Sequence, residues 1–460
     1  MKNLLRLALV LFTTSVFSQA GHVMQAAGSV NMSMGGAATA QPLDISGALH
    51  WNPAAISVFD SKIINFDLGA FFSSPELSSS LPAGAMWPAD AFGPGSPASP
   101  AVSGTTKDDR GVSPMPALAF VYGKEGSKHT FGVSAFGISG FGVTFPKETN
   151  LPMDANGNPN PNWDPNNSNP VNYPQSLGGF GHIESDYMLL QVGFAWAYEI
   201  TDELSIGVQP TLNYAALELA PNPTANPNAS GYPVSDKASA IGYGAQFGVF
   251  YNSPSGFKLG ASYKTPQKFE DLKFKNTHLD NSTSENAFNM DYPSILSFGL
   301  GYSTGDIDLA VDYRFVDYEN TNGFAEKGWT PTGSVAGFGW KNMNILSVGL
   351  QYKGIEKLPL RIGYTYSSNP IDSELTFFSI PATAIIENAF EFGLSYPVTD
   401  NFMLNGVYHY GTSGDKTEGE IFNPQNIQNN PPYGAIPGSK VGYEMTTGMV
   451  MLGLTYTFSK

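Results

Sequence analysis

The residues best suited to proton transfer or metal ligation are six histidines, His22, His50, His129, His182, His278 and His409, in a chain without cysteine. None sits at the short spacing that a metal site uses, so no metal is expected. His182 close to Ser185 and Asp186, with His409 elsewhere, supplies the nominal parts of a hydrolase. Such chemistry needs a nucleophile, a base and an orienting group brought together. No GxSxG, HExxH or glycine-rich nucleotide loop accompanies them, so neither an enzyme nor a cofactor is expected. Asp154, Asn156, Asn158, Asn160, Asn162 and Asp164 place oxygens at alternate positions, but the closing Glu and turn glycine of an EF-hand are out of register. A solvated Asn/Pro loop is the plainer reading. There remain Asp312, Arg314 and Asp317 in one strand-like run and Arg361 in another. A cation facing lipid at mid-depth costs about 2 to 4 kcal/mol, so in a membrane-spanning strand these charges face a lumen.

Composition points the same way. Charged residues make up 13% of the 460 positions, about half of the roughly 25% usual in soluble domains. Part of the surface therefore faces something other than water. Residues 1–20 read as a secretory signal, with Lys2 and Arg6 before the apolar run Leu7 to Phe17, which is too short to span a bilayer. Cleavage before Gly21, or before Gln19, fits the small residues there. Beyond it no run of 18 apolar residues occurs, which excludes a membrane protein built of ordinary spanning helices. A net charge of −16 argues against nucleic acid as a partner.

From Ser61 onward, apolar and small or polar residues alternate at period two, the signature of strands. In residues 344–352, Leu346, Val348, Leu350 and Tyr352 project to one face, and Ile345, Ser347, Gly349 and Gln351 to the other. Segments of this kind fall at 61–72, 114–123, 129–143, 183–200, 202–218, 239–253, 256–269, 293–303, 305–318, 343–353, 358–368, 386–397, 401–412 and 445–458. Most have the roughly 9 to 11 residues a tilted strand needs to cross a bilayer. Short turns alternate with long polar connections at 73–113, 144–182, 219–238, 270–292, 319–342, 369–385 and 413–444. Long loops outside and tight turns in the periplasm are how outer-membrane barrels are built, which puts both termini in the periplasm. The fold class predicted is all-β: a 14-stranded antiparallel transmembrane β-barrel over residues 61–460. About eight strands already enclose a nearly packed interior, so fourteen need a filler. Residues 21–60, compact and rich in small side chains, are the candidate hatch.

The stretch Ala20, Gly21, His22, then Gly35, Gly36, Ala37, Ala38, then Trp51, Asn52, Pro53, Ala54, Ala55 resembles the N-terminal hatch of FadL-like outer-membrane transporters of long-chain fatty acids and aromatic hydrocarbons. Leu259 to Thr265 and Tyr292 to Tyr302 resemble barrel strands of that family. The resemblance implies a hydrophobic ligand, a long-chain fatty acid first and an aromatic hydrocarbon as the alternative. It also implies a route from an outer groove through a barrel pocket to a lateral opening at the third strand. That strand carries Phe136, Gly137, Gly140 and Phe141, and glycines within strands mark bulges or bends, or simply admit aromatic neighbours. Asn52, Pro53 and Ala54 are the expected hatch or gating residues, or else an ordinary turn. His22 stands where the family pattern has an aromatic residue. The expected partners are the ligand and the outer-membrane lipid and lipopolysaccharide around a monomer. A porin, which would fold a loop inward from outside, and an adhesive barrel are the rival readings.

Overall fold

The structure is a computed structural model that describes residues 19–154 and 156–459. The expected signal segment lies, up to residue 18, outside the described residues. Among them fourteen strands form the wall: β1 Lys62–Leu81, β2 Val112–Tyr122, β3 His129–Phe145, β4 Ile183–Glu199, β5 Leu204–Ala220, β6 Ala238–Asn252 and β7 Phe257–Lys264. They continue as β8 Ser294–Ser303, β9 Ile307–Asp317, β10 Met343–Tyr352, β11 Leu360–Ser367, β12 Asn388–Pro397, β13 Phe402–Thr412 and β14 Lys440–Thr457. Each pairs antiparallel with the next, and β14 closes on β1 from Lys440↔Ser80 to Thr457↔Ile63. The start of β1 and the end of β14 thus share the end of the barrel that carries the tight turns.

The alternation read from the sequence becomes two faces. In β10, Leu346, Val348 and Tyr352 are exposed while Ile345, Ser347, Gly349 and Gln351 are buried. In β14, Leu452 is 66% exposed beside Val450, Leu454 and Tyr456. A continuous apolar outer face suits hydrocarbon, not water.

Three strand ends differ from the sequence reading by five residues or more, one of them the start of β14, which lies at Lys440 instead of 445 and pairs with the extended end of β1. β1 runs on to Leu81, because the Ser-rich stretch 73–81 pairs with β14 on one side and with Val102–Lys107 on the other. Its residues are mostly serine, so the apolar period that marks a strand is lost although Leu77 is still buried. β7 stops at Lys264 instead of 269. Pro266 cannot donate to a ladder, and Lys268–Phe269 rejoins the wall by pairing with Gly242 and Tyr243 of β6.

Inside lies the segment from Gly21 to Ile56, almost wholly buried. It forms α1 (Ser29–Ser33), α2 (Ile45–Trp51) and a 3-10 turn, Pro53–Val58. Its backbone rests directly on the wall, which explains why inward positions are so often glycine. A Cβ at Gly207 of β5 would overlap the backbone of Pro53 and Ala54, and one at Gly363 of β11 would overlap Met34 and Gly35. The upper lumen holds parts of two long loops as well: Phe324 and Trp340 from 319–342, and Ile380 with Ala382 to Ile385 from 369–385, are buried.

Gly207→Val tests this packing, since a strand tolerates valine and only the plug contact is harmed. The expected result is a barrel that still assembles, with the 21–60 segment destabilised by about 1 to 3 kcal/mol, as overpacking costs. Limited proteolysis of that segment, set against heat-resistant migration of the barrel in gels, reads the two separately.

Candidate functional site

The plug is fixed by side chains reaching from both directions. Asn52 ends α2 and caps the 3-10 turn: its Oδ1 accepts from Ala54 N at 3.1 Å, while its Nδ2 donates to the carbonyls of Thr39 at 2.8 Å and of Val249 in β6 at 3.1 Å. Pro53 occupies the first position of that turn, where a missing N–H costs nothing. Ala54 packs under Gly207. From the wall, Asp312 accepts the N–H groups of Ala38 and Thr39 at 2.9 Å each. Arg314 pairs with Asp312 at 2.6 Å, donates to Gly36 O at 2.7 Å and lies 3.6 Å over the Trp51 ring. Arg361 donates to Ser33 Oγ at 2.6 Å and to Gln351 and Ser395. The alternation placed Asp312, Arg314 and Arg361 in the lumen; that they hold the plug was not visible, because no local signal pairs a strand residue with a carbonyl 278 positions away. Asp317 instead accepts from Asn320 at the loop end.

Phe136, Gly137, Gly140 and Phe141 lie at an irregularity of the β3–β4 ladder, whose register shifts between Gly137 and Ser139 and leaves Ile138 unpaired. Below the shift Phe131 and Val133 face outward; above it Phe141, Val143 and Phe145 are buried. On its other side β3 loses its partner. The β2–β3 ladder runs from Tyr122↔Phe131 to Ala117↔Phe136 and stops, although β2 continues to Val112 against β1. Pro114 and Pro116 occupy that stretch of β2. Because the β1 ladder passes both prolines intact, their missing donors fall on the β3 side. A small apolar opening results, flanked by Pro114, Pro116, Phe136 and Gly137 and floored by Met24 and Met188. The plug's N-terminal end covers the bare edge above it: Val23 pairs with Ser139, and His22 O accepts from Gly140 N at 3.3 Å and Ser139 Oγ at 2.7 Å. Of the two readings the β3 glycines allowed, a bend or room for aromatic neighbours, the register shift matches the first, while the prolines opposite were readable as a Pro-x-Pro inside a strand but were not singled out.

At the long-loop end, a groove of about 1770 Å³, solvent included, opens between Phe180, Tyr232, Leu279, Trp329 and Phe422. Phe180, Tyr232, Trp329 and Phe377 are shared with a deeper apolar pocket of about 420 Å³, floored by Ile380 and Pro381. Trp340 Nε1 donates to Ser379 Oγ at 3.0 Å beneath that floor. There Trp340, Phe324, Tyr318, Tyr292 and Tyr187 surround His22, with ring centroids 4.5 to 6.1 Å from its imidazole. Burial pushes the His22 imidazole down to about 3, so the ring is neutral.

The other chemical candidates are apart. His182 is exposed and 3.0 Å from Glu184; Ser185 Oγ donates to Pro381 O; Asp186 pairs with Arg110 and Lys237. His409 bonds Glu391 at 2.8 Å, which also accepts from Gln25 of the plug. Asp154 accepts the N–H groups of Asn156 and Asn158 and so stabilises its own turn. Among the described residues no three His, Asp or Glu side chains gather as metal ligands.

A family model described as "Outer membrane protein transport protein (OMPP1/FadL/TodX)" matches residues 173–459. Among solved structures, the toluene transporter TodX of P. putida has 15% identity, with 95% of this chain and 99% of that one covered and a TM-score of 0.62. A Pseudomonas aeruginosa FadL homologue has 14% identity, 95% and 100% coverage and a TM-score of 0.68. The Ralstonia pickettii toluene transporter TbuX has 15%, 95% and 99%, and 0.61. At such identities these structures speak for the fold alone. No curated protein matches the chain.

Replacing both prolines, Pro114→Val with Pro116→Val, restores two donors to β2. The expected outcome is a ladder that zips past Ala117. Amide exchange on either side of Ile138 should slow by about tenfold or more, as for a newly bonded strand. Unchanged exchange would mean that the prolines do not hold the wall apart.

Proposed function

The chain belongs to the FadL/TodX family of outer-membrane transporters of hydrophobic compounds, and from that premise we infer the route its own residues provide. A hydrophobic molecule lands in the groove between Tyr232, Trp329 and Phe422, descends into the pocket above Ile380, passes the aromatic ring about His22 and leaves sideways between β2 and β3. The long loops then face outward among lipopolysaccharide, both termini lie in the periplasm, and one chain suffices.

No covalent step is required. Each methylene taken from water is stabilised by about 0.8 kcal/mol, enough to draw an apolar molecule inward without a dedicated group. The opening beside Pro114 and Pro116 carries this reading, because it faces the apolar outer surface of the wall and not the barrel axis. A general porin fits less well. Although loops 319–342 and 369–385 do fold inward, they pack on a buried plug instead of lining water. Residues 21–60 act as the hatch in this scheme, with Asn52, Pro53 and Ala54 holding it shut against β5 and β6. An acyl chain and an aromatic hydrocarbon both satisfy the pocket, so the choice between them rests on polar groups further along.

Cells lacking their own transporter, given this protein, should take up labelled toluene or a labelled long-chain fatty acid faster than vector controls. If neither rises while the barrel is present in the outer membrane, the transport reading fails. Asn52→Ala removes three hydrogen bonds worth about 1 kcal/mol each and should loosen the hatch. Influx of a small polar antibiotic, measured as increased sensitivity, is expected to climb.

A further inference from the structure

The ring of aromatic side chains about His22 is not wholly apolar. Tyr318 OH accepts from the His22 backbone N at 3.3 Å and lies 2.6 Å from its Nδ1. In the neutral imidazole Nε2 then donates in one tautomer and accepts in the other. His22 Nε2 and Tyr292 OH are buried with no partner, Tyr187 OH has only the Ser139 hydroxyl beside it, and all three residues are 0% exposed. Buried polar groups are nearly always bonded, and leaving two unmet in one place is costly. The pocket above differs: its one hydroxyl, on Tyr232, already donates to Gly333 O at 2.5 Å.

We propose that His22, Tyr187 and Tyr292 form the recognition point for an uncharged oxygen function on the transported molecule, a hydroxyl or carbonyl on a hydrophobic body. The imidazole Nε2 and two hydroxyls, each able to donate or accept, complement such an oxygen, and Phe324 and Trp340, packed against the His22 ring, keep its surroundings apolar. An ionised carboxylate is disfavoured. The nearest charges are already matched, Asp291 by Lys268 and Arg314 by Asp312, so an anion would be taken from water with no counter-charge to receive it. The inference rests on the transport reading and narrows its ligand from any hydrophobe to one with a neutral hydrogen-bonding group.

Three probes with a common body separate the cases: ethylbenzene, 4-ethylphenol and 4-ethylbenzoate, titrated by calorimetry into the mature protein in nanodiscs. At about pH 7 the phenol is neutral and the benzoate ionised. The phenol is expected to bind about tenfold more tightly than ethylbenzene, as one or two buried hydrogen bonds allow, with the benzoate weakest. Tyr187→Phe with Tyr292→Phe keeps both rings and should bring the phenol down to the ethylbenzene level while ethylbenzene is unchanged. Equal binding of phenol and ethylbenzene, a preference for benzoate, or equal losses for both neutral probes in the double variant overturns the assignment and leaves transport standing. Failure of all three probes to bind overturns the assignment as well, and the uptake assay with toluene and a long-chain fatty acid then decides the transport reading separately.

Discussion

A strand in hydrocarbon has no water to bond its N–H and C=O groups, and each one left unpaired costs several kcal/mol. Much of this molecule follows from meeting that demand. Fourteen strands satisfy it by closing β14 on β1, and closure at this strand number leaves a lumen too wide for wall side chains to fill. The filler is itself a stretch of chain with backbone groups to satisfy. That is why charged and amide side chains sit on the inner face: Asp312 serves two plug N–H groups, Arg314 and Gln246 serve plug carbonyls, and Asn52 returns the favour to Val249. Small residues on the same face let the two backbones meet.

The wall breaks its own rule in one region. Pro114 and Pro116 withdraw two donors from β2, and the bulge at Ile138 turns β3 so that its upper half presents Phe141 inward. A bare edge at membrane depth is tolerable only when something else bonds it. His22 O and the Val23 backbone do so from inside. Plug and opening are therefore one device: moving the plug's N-terminal end uncovers the edge, and covering the edge anchors the plug.

The barrel was legible because lipid outside and a packed plug inside impose opposite demands on alternate residues, and period two survives along the spanning strands except where β3 bulges at Ile138 and the long-loop ends of β4 and β5 are buried on both faces. Where that contrast fades, so did the reading. The extension of β1 through Ser73 to Leu81 is mostly serine, and the end of β7 is set by one proline. The segment that fills the lumen was marked by its lack of period and its small residues, and Asn52 with Pro53 by the family resemblance, for which turn chemistry supplied a reason. What could not be read were meetings across hundreds of residues, such as Gln25 with Glu391 or His22 with Tyr318. Local pattern fixes which face a residue takes, not what waits there.

Along the proposed path the chemistry changes in an order that favours movement. The outer pocket offers only apolar contact, so any hydrophobe gains there and none is held by a specific bond. The ring about His22 adds hydrogen-bonding tips with no partner, which rewards a particular kind of molecule for going deeper. At the opening the lining turns to methionine, with Met24, Met115, Met188 and Met451 gathered around the gap. Unbranched thioether side chains adapt their shape at little cost. A ligand leaving there meets a surface that yields to many outlines and competes with none of the bonds it made above. Selection belongs in the rigid aromatic ring, and release in the pliable sulfur-rich edge.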